Sequence, residues 1–128
     1  MSIKSSAQLI EEYFSATRAM DVDAWLATFA EDAVSEDPVG GVPLIGHTAM
    51  RQFFLGMIGL FEQVGLTEEF VNIVGKVVAV KWTGKGVGKN GKAVMFEGID
   101  IFELNDAGLI QHLKAYWNPA AMIAELQG

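Results

Sequence analysis

The chain has no cysteine. Disulfides and thiolate chemistry are therefore excluded, and a reducing compartment, the cytoplasm, is the expectation. Basic residues are few: nine Lys and Arg stand against 16 Asp and Glu, a formal charge of −7, with the positive charges scattered. That balance argues against nucleic acid and against anionic membrane surfaces as partners. Histidine occurs only twice, as His47 and His112. They are far apart and lack matching carboxylate spacing, so no metal site is expected. Long apolar runs are missing too. The longest, Phe53 to Phe61, has nine residues including two glycines, against about 20 for a membrane-spanning helix. The first residues, Met-Ser-Ile-Lys-Ser-Ser, lead into Glu11 and Glu12 without an apolar signal-peptide core. These absences describe a soluble protein.

What the chain has in excess is apolar surface. Aliphatic, aromatic and Met residues make up 51%, not counting 14 glycines, which is rich for a soluble domain. At 128 residues one domain spanning 1–128 is expected. The excess then has to line an apolar cavity, a subunit interface, or both.

Periodicity divides the chain in two. Ser5 to about Ala19 has helical spacing at Leu9, Ile10, Tyr13, Phe14 and Thr17, with capping-box spacing between Ser5 and Gln8. Asp21 can cap a short second helix carrying Trp25, Leu26 and Phe29. A strand at Ala33–Asp37 and a Pro/Gly loop follow, and a third helix runs from near Thr48 through Phe61. After Gly65 the period becomes two, and Leu66–Val74, Lys76–Val87, Lys92–Leu104 and Leu109–Trp117 read as strands. Asn90-Gly91 and Asn105-Asp106-Ala107-Gly108 mark turns. Asn118 and Pro119 can open a short closing helix. The order predicts an α+β fold: a cone-shaped, curved antiparallel β-sheet packed on N-terminal helices around an apolar pocket.

Three residues could carry chemistry there. Asp37 precedes Pro38, which favours an extended backbone at Asp37 and a turn immediately after it. Alternation counted from Val34 would turn Glu36 inward instead, unless the proline breaks the register. Asp100 shares a strand face with Val94, Phe96, Gly98 and Phe102, whereas Met95, Ile99 and Ile101 share the other; parity alone leaves either face inward. If Asp100 faces inward, ionisation is costly without a cationic partner, and a neutral acid with a raised pKa results. Tyr13 lies on the apolar stripe of the first helix, so its hydroxyl needs an interior partner. A carboxylate base with two nearby donors is equipment for moving a proton next to a ketone.

Tyr13, the segment Phe29-Ala30-Glu31-Asp32-Ala33 leading into Glu36-Asp37-Pro38-Val39-Gly40, and Ile99-Asp100 resemble bacterial Δ5-3-ketosteroid isomerase, within the nuclear-transport-factor-2-like (SnoaL-like) superfamily. The resemblance covers nearly the whole chain. It implies Asp37 rather than Glu36 as the proton-shuttling base, with Tyr13 and a protonated Asp100 as the oxyanion hole. It implies Phe54, Trp82, Phe96, Leu113 and Trp117 as the walls of a steroid slot, and no cofactor. The implied partner is a small hydrophobic substrate such as a steroid or similar cyclic ketone. Phe54 stands where members of this family often have a second tyrosine that hydrogen-bonds the first. A polyketide-cyclase or hydratase-like enzyme and a non-catalytic ligand carrier are the alternatives on this fold. Epoxide hydrolysis is disfavoured because no arginine is placed to bridge two aspartates. His47 is expected to be solvated or capping, and His112 to face away from the pocket. The glycines of Gly84–Gly91 belong to a hairpin, not a phosphate loop. Lysines 76, 81, 85, 89 and 92 dress exposed sheet edges. With Asp100 inward, Met95, Ile99 and Ile101 face out beside Ile110 and Tyr116, which predicts a homodimer through the sheet.

Overall fold

The structure is a computed structural model and describes residues 4–128. Helix α1 (Ser6–Arg18) starts where Ser5 Oγ accepts the Gln8 N–H, and α2 (Val22–Leu26) starts where Asp21 accepts that of Ala24. Six strands follow or interleave: β1 (Phe29–Glu36), β2 (Leu44–Ile45), β3 (Phe61–Val74), β4 (Val77–Gly88), β5 (Ala93–Leu104) and β6 (Ile110–Trp117). Helix α3 (Gly46–Ile58) lies between β2 and β3, and α4 (Pro119–Gln127) closes the described chain, with Asn118 as its cap and Pro119 in its first turn. No helix among the described residues is long and apolar enough to cross a membrane.

The strands form one curved sheet in the order β2-β1-β6-β5-β4-β3. It is mixed rather than purely antiparallel, because β1 lies parallel to β6. Side-chain alternation reports which face a residue takes, not the direction of its neighbour, so that pairing could not be read from the pattern. Several boundaries also move. Phe29 opens β1 opposite Ile110 instead of closing α2. Phe61 leaves the third helix and opens β3, since the helix ends at Ile58 with Gly59 as its cap.

The concave side holds the core. Apolar faces of α1, α2 and α3 meet Val78, Val80, Phe102, Ile110 and Leu113 of the sheet. A second cluster, with Met122 and Leu126 of α4 against Phe61, Val64 and Val94, shuts the other end. Glycines thin the inner face of β4 where rings must lie flat. A Cβ at Gly84 would sit 2.3 Å from Phe96 Cε2, and one at Gly86 2.7 Å from Phe61 Cε1. These glycines therefore serve packing within the strand, not only the hairpin beyond it.

Candidate active site

The cavity opens on the concave side and is lined by Tyr13, Asp37, Asp100 and a wall of apolar side chains. Its atom-free space, mouth included, is about 640 Å³, while the centre of a water molecule can move through about 90 Å³ of it. Phe54, Trp82, Phe96 and Trp117 line the cavity; Leu113 does not. Leu113 shares the inner face of β6 with Ala115 and Trp117 but lies deeper, fully buried in the core.

Asp37 reaches the cavity because β1 alternates differently from the simple count. Ala33 and Ser35 are fully buried, while Val34 and Glu36 are only partly covered. The register shift between Phe29 and Val34 turns Val34 outward, although it is the more apolar residue. Glu36 thus faces away, where it pairs with His112 Nε2 at 2.7 Å. Beyond the proline hinge, the Val39 N–H donates to the Ala115 carbonyl at 2.8 Å, which keeps Asp37 against β6. Trp117 Nε1 donates to Asp37 Oδ1 at 2.6 Å. Burial raises the Asp37 pKa from 3.8 to about 6, and the indole bond opposes part of that rise.

Asp100 faces inward on β5 and is 2% exposed, so the parity left open by periodicity falls on the cavity side. Burial and then the charge of Asp37 push its pKa well above the usual carboxylate value. Tyr13 is buried among Phe14 and Phe102, with ring centroids 5.0 Å away in both cases, and beside Phe29 and Trp25. Burial, with Asp100 and Asp37 adding to it, raises its pKa further above 10. Among the described residues neither the Tyr13 hydroxyl nor the Asp100 carboxyl has a hydrogen-bond partner of full geometry within the protein. The cavity therefore brings together one carboxyl group whose pKa is lifted to about 6 and two groups, Asp100 and Tyr13, whose protonated forms are favoured by burial and by the neighbouring acids.

Each of the chain's three tryptophans faces one of these acids. Trp117 bonds Asp37, Trp82 faces Asp100, and Trp25 faces the Tyr13 hydroxyl, each lowering its partner's pKa. Phe54 packs against Trp25 with ring centroids 4.7 Å apart and planes tilted by 34°, on the indole that faces the Tyr13 hydroxyl. The signal for this arrangement was available, since a buried indole N–H requires an acceptor, but the sequence does not say which acid each meets. Thr17, Phe53, Met57 and Ile58 also line the cavity without having been singled out.

The remaining polar residues stay outside. The arginines, Arg18 and Arg51, pair with Glu68 and Asp23 at 2.9 and 2.8 Å and do not line the cavity. His47 does not cap α3; it is half-buried, and its Nε2 lies 3.1 Å from the Phe29 carbonyl and ties α3 to β1. Lys81 is half-buried on the outer sheet face and pairs with Glu97 at 2.9 Å. Among the described residues no group of three or more His, Asp or Glu side chains could hold a metal ion.

The chain belongs to the SnoaL-like domain family, whose profile it matches over residues 10–113. Among solved structures, a putative polyketide cyclase from Xanthomonas campestris pv. campestris is similar at 26% identity, covering 94% of this chain and 96% of that one, with a TM-score of 0.83. The epoxide hydrolase/cyclase-like enzyme SalBIII, described for pyran ring formation in the polyether salinomycin, is 28% identical over 90% and 92% of the two chains, with a TM-score of 0.80. A Δ5-3-ketosteroid isomerase from Mycobacterium sp. is 26% identical over 91% and 95%, with a TM-score of 0.77.

Proposed function

We propose that this protein is a cofactor-independent isomerase that moves a double bond into conjugation in a 3-oxo-Δ5-steroid or a similar hydrophobic cyclic ketone. The observation that carries the reading is the single narrow apolar cavity shared by Asp37, Asp100 and Tyr13. Asp37, ionised above pH about 6, takes the proton between the carbonyl and the double bond. Tyr13 and protonated Asp100 donate to the carbonyl oxygen as it gains charge. Asp37 then delivers the same proton to the far end of the allylic system. Oxidation state is unchanged and no water is consumed. The use of a carboxylic acid held neutral by an apolar site follows the pattern described for ketosteroid isomerase. Aromatic walls supply the surface that a flat polycyclic substrate would bury.

The test is conversion of 5-androstene-3,17-dione, followed by the ultraviolet absorbance of the conjugated enone. Turnover that survives Asp37→Asn within a few-fold would sink the mechanism. Tight binding of the phenolic steroid equilenin, weakened by Tyr13→Phe but without turnover, would keep the oxyanion hole and change the substrate.

A second reading, polyketide or polyether cyclisation, is favoured by the similarity to SalBIII and the putative cyclase. There Asp37 would deprotonate an attacking hydroxyl while Asp100 protonates the oxygen that leaves. Ring closure of a hydroxy-epoxide by a protein inert toward the androstenedione would decide for it. A carrier role would show as steroid binding indifferent to Asp37→Asn.

The outer sheet face supports a homodimer. Phe70, Met95, Ile99 and Tyr116 are all exposed there, and exposed apolar side chains sharing one sheet face are what such an association would cover. Ile110, expected beside them, is fully buried in the core and takes no part. A monomer in sedimentation at micromolar concentration would reject the dimer.

A further inference from the structure

Trp82 is 2% exposed, and its indole N–H is buried without a hydrogen-bond partner. A buried donor left unpaired costs stability, so such a group in an otherwise well-packed core calls for a reason. Trp82 stands on the inner face of β4, paired in register with Gly98 of β5. The glycine lets the indole lie across β5, since a Cβ there would be 2.4 Å from Trp82 Cζ2. Asp100, two residues along the same face and opposite Val80, is the diagonal neighbour of Trp82. The other rings against Trp82 are those of Phe96 and Trp117, which offer no carboxylate. The N–H faces Asp100 but falls short of hydrogen-bond geometry, and it is too deeply covered for a substrate in the cavity to reach.

A neutral carboxyl group is a weak acceptor, whereas a carboxylate is a strong one. The indole therefore matters most when Asp100 is ionised. We propose that Trp82 is a positioning residue for Asp100: its buried N–H receives the carboxylate that forms when Asp100 passes its proton to the oxygen of the substrate. This rests on the isomerase reading and deepens it, because the intermediate becomes a neutral dienol. Asp37 takes the proton from carbon, the C–H electron pair enters the new double bond, and the carbonyl π pair moves to oxygen. That oxygen takes the Asp100 proton, and the O–H electron pair stays on the Asp100 carboxylate. On return, Asp37 protonates the distal carbon and the enol proton goes back to Asp100.

The charges are consistent at every stage. The titratable groups that face Asp100 across the cavity are Tyr13 from α1 and Asp37 beyond the end of β1; α3, β4 and β6 contribute none to the lining. An ionised Asp37 opposes a second carboxylate nearby. When Asp100 gives up its proton, however, Asp37 has just gained one. One of the two carboxyls carries the charge throughout, and each has its own indole: Trp117 for Asp37 and Trp82 for Asp100.

Trp82→Phe removes the donor and keeps a ring; replacement by β-(3-benzothienyl)alanine removes it and keeps the shape. Both should lower kcat roughly tenfold, as expected for a hydrogen bond to a charged group; the benzothienyl replacement, which keeps the cavity wall, should do so with KM nearly unchanged, whereas the smaller ring of Trp82→Phe should also raise KM. In an Asp100→Asn background, whose amide cannot ionise, the loss should vanish. An equal fold-loss in both backgrounds overturns the proposal, because it would mean that Trp82 only packs. A second readout needs no turnover. With carbon-13 in the aspartate carboxyls, Asp100 should titrate at higher pH in the Trp82 variants than in the wild type, and Asp37 should move less. An Asp100 resonance that behaves identically in all three proteins overturns it as well. A wild type that converts no enone but shows this carboxyl shift rejects the isomerase reading and leaves the Trp82–Asp100 pairing standing.

Discussion

Trp117 Nε1 donates to Asp37 Oδ1 across 2.6 Å, joining the last residue of β6 to the first residue beyond β1. One carboxylate oxygen is thereby fixed, and the other is left for a substrate proton. An indole N–H donates only and does not titrate, so it orients the base without competing for the proton. It also restrains the rise in pKa that burial imposes, and leaves Asp37 at about 6. A base with that value is ionised at neutral pH yet basic enough to be useful.

Trp117→Phe should therefore raise the Asp37 pKa above about 6. The acid limb of the pH profile of kcat/KM should shift upward, by about one unit if the lost bond is worth about 1.4 kcal/mol. Trp82→Phe should leave that limb in place, because it acts on Asp100. An acid limb that stays put in Trp117→Phe would mean that the indole wall packs against Asp37 without tuning it.

Asp37 also taxes stability, with a sign that can be worked out. Its folded pKa of about 6 lies above the ordinary 3.8, so the folded state holds the proton more tightly than the unfolded one. The contribution is fully present below pH 3.8 and is lost as pH rises through about 6. A shift of that size corresponds to about 3 kcal/mol, and solvent at the cavity mouth reduces it to about 2 kcal/mol. Asp37→Asn should thus raise the unfolding free energy at pH 8 by about 2 kcal/mol and change it little at pH 4. Urea melts at the two values check this, and equal effects at both would disprove the linkage.

Tyr13→Phe should separate catalysis from packing. The ring is held by Phe14, Trp25, Phe29 and Phe102, and removing the hydroxyl leaves those contacts in place. The expected result is a loss of about 10²- to 10³-fold in kcat, with a melting temperature within a few degrees of the wild type. Equilenin affinity should fall in parallel. A variant with unchanged turnover would remove Tyr13 from the oxyanion hole.

The fold class, the buried side of Tyr13 and the strand end before Asp37 were legible because each leaves a local mark. Helical spacing placed Tyr13 on a buried stripe, and Pro38 marked the end of the strand before Asp37. The direction of β1 was not legible, because its pairing with β6 joins segments more than 70 residues apart, as Glu36 opposite Lys114 shows. Nor was the inward turn of Asp37, since it depends on a register shift that turns Val34 outward. The face of Asp100 is decided by its sheet neighbours, and the tryptophan–acid pairing by elements brought together only in the folded chain. Leu113 has the right parity but the wrong depth, and depth along a strand is set by the curvature of the sheet.

That curvature supplies the last prediction. Phe96 lies flat over Gly84, and the two residues are paired in register across β4 and β5. An added Cβ would stand 2.3 Å from Phe96 Cε2 and 2.5 Å from Cζ, so the ring must move. The space open to it is the slot, where Phe96 already faces Trp117 with centroids 5.7 Å apart. Gly84→Ala should cost about 1–3 kcal/mol of stability, as overpacking does, and should also narrow the cavity. Affinity for a four-ring steroid should then fall more than affinity for a one-ring phenol that needs only Tyr13 and Asp100. Equal losses for both ligands would mean that Phe96 has moved away from the slot, and that the glycine serves the sheet alone.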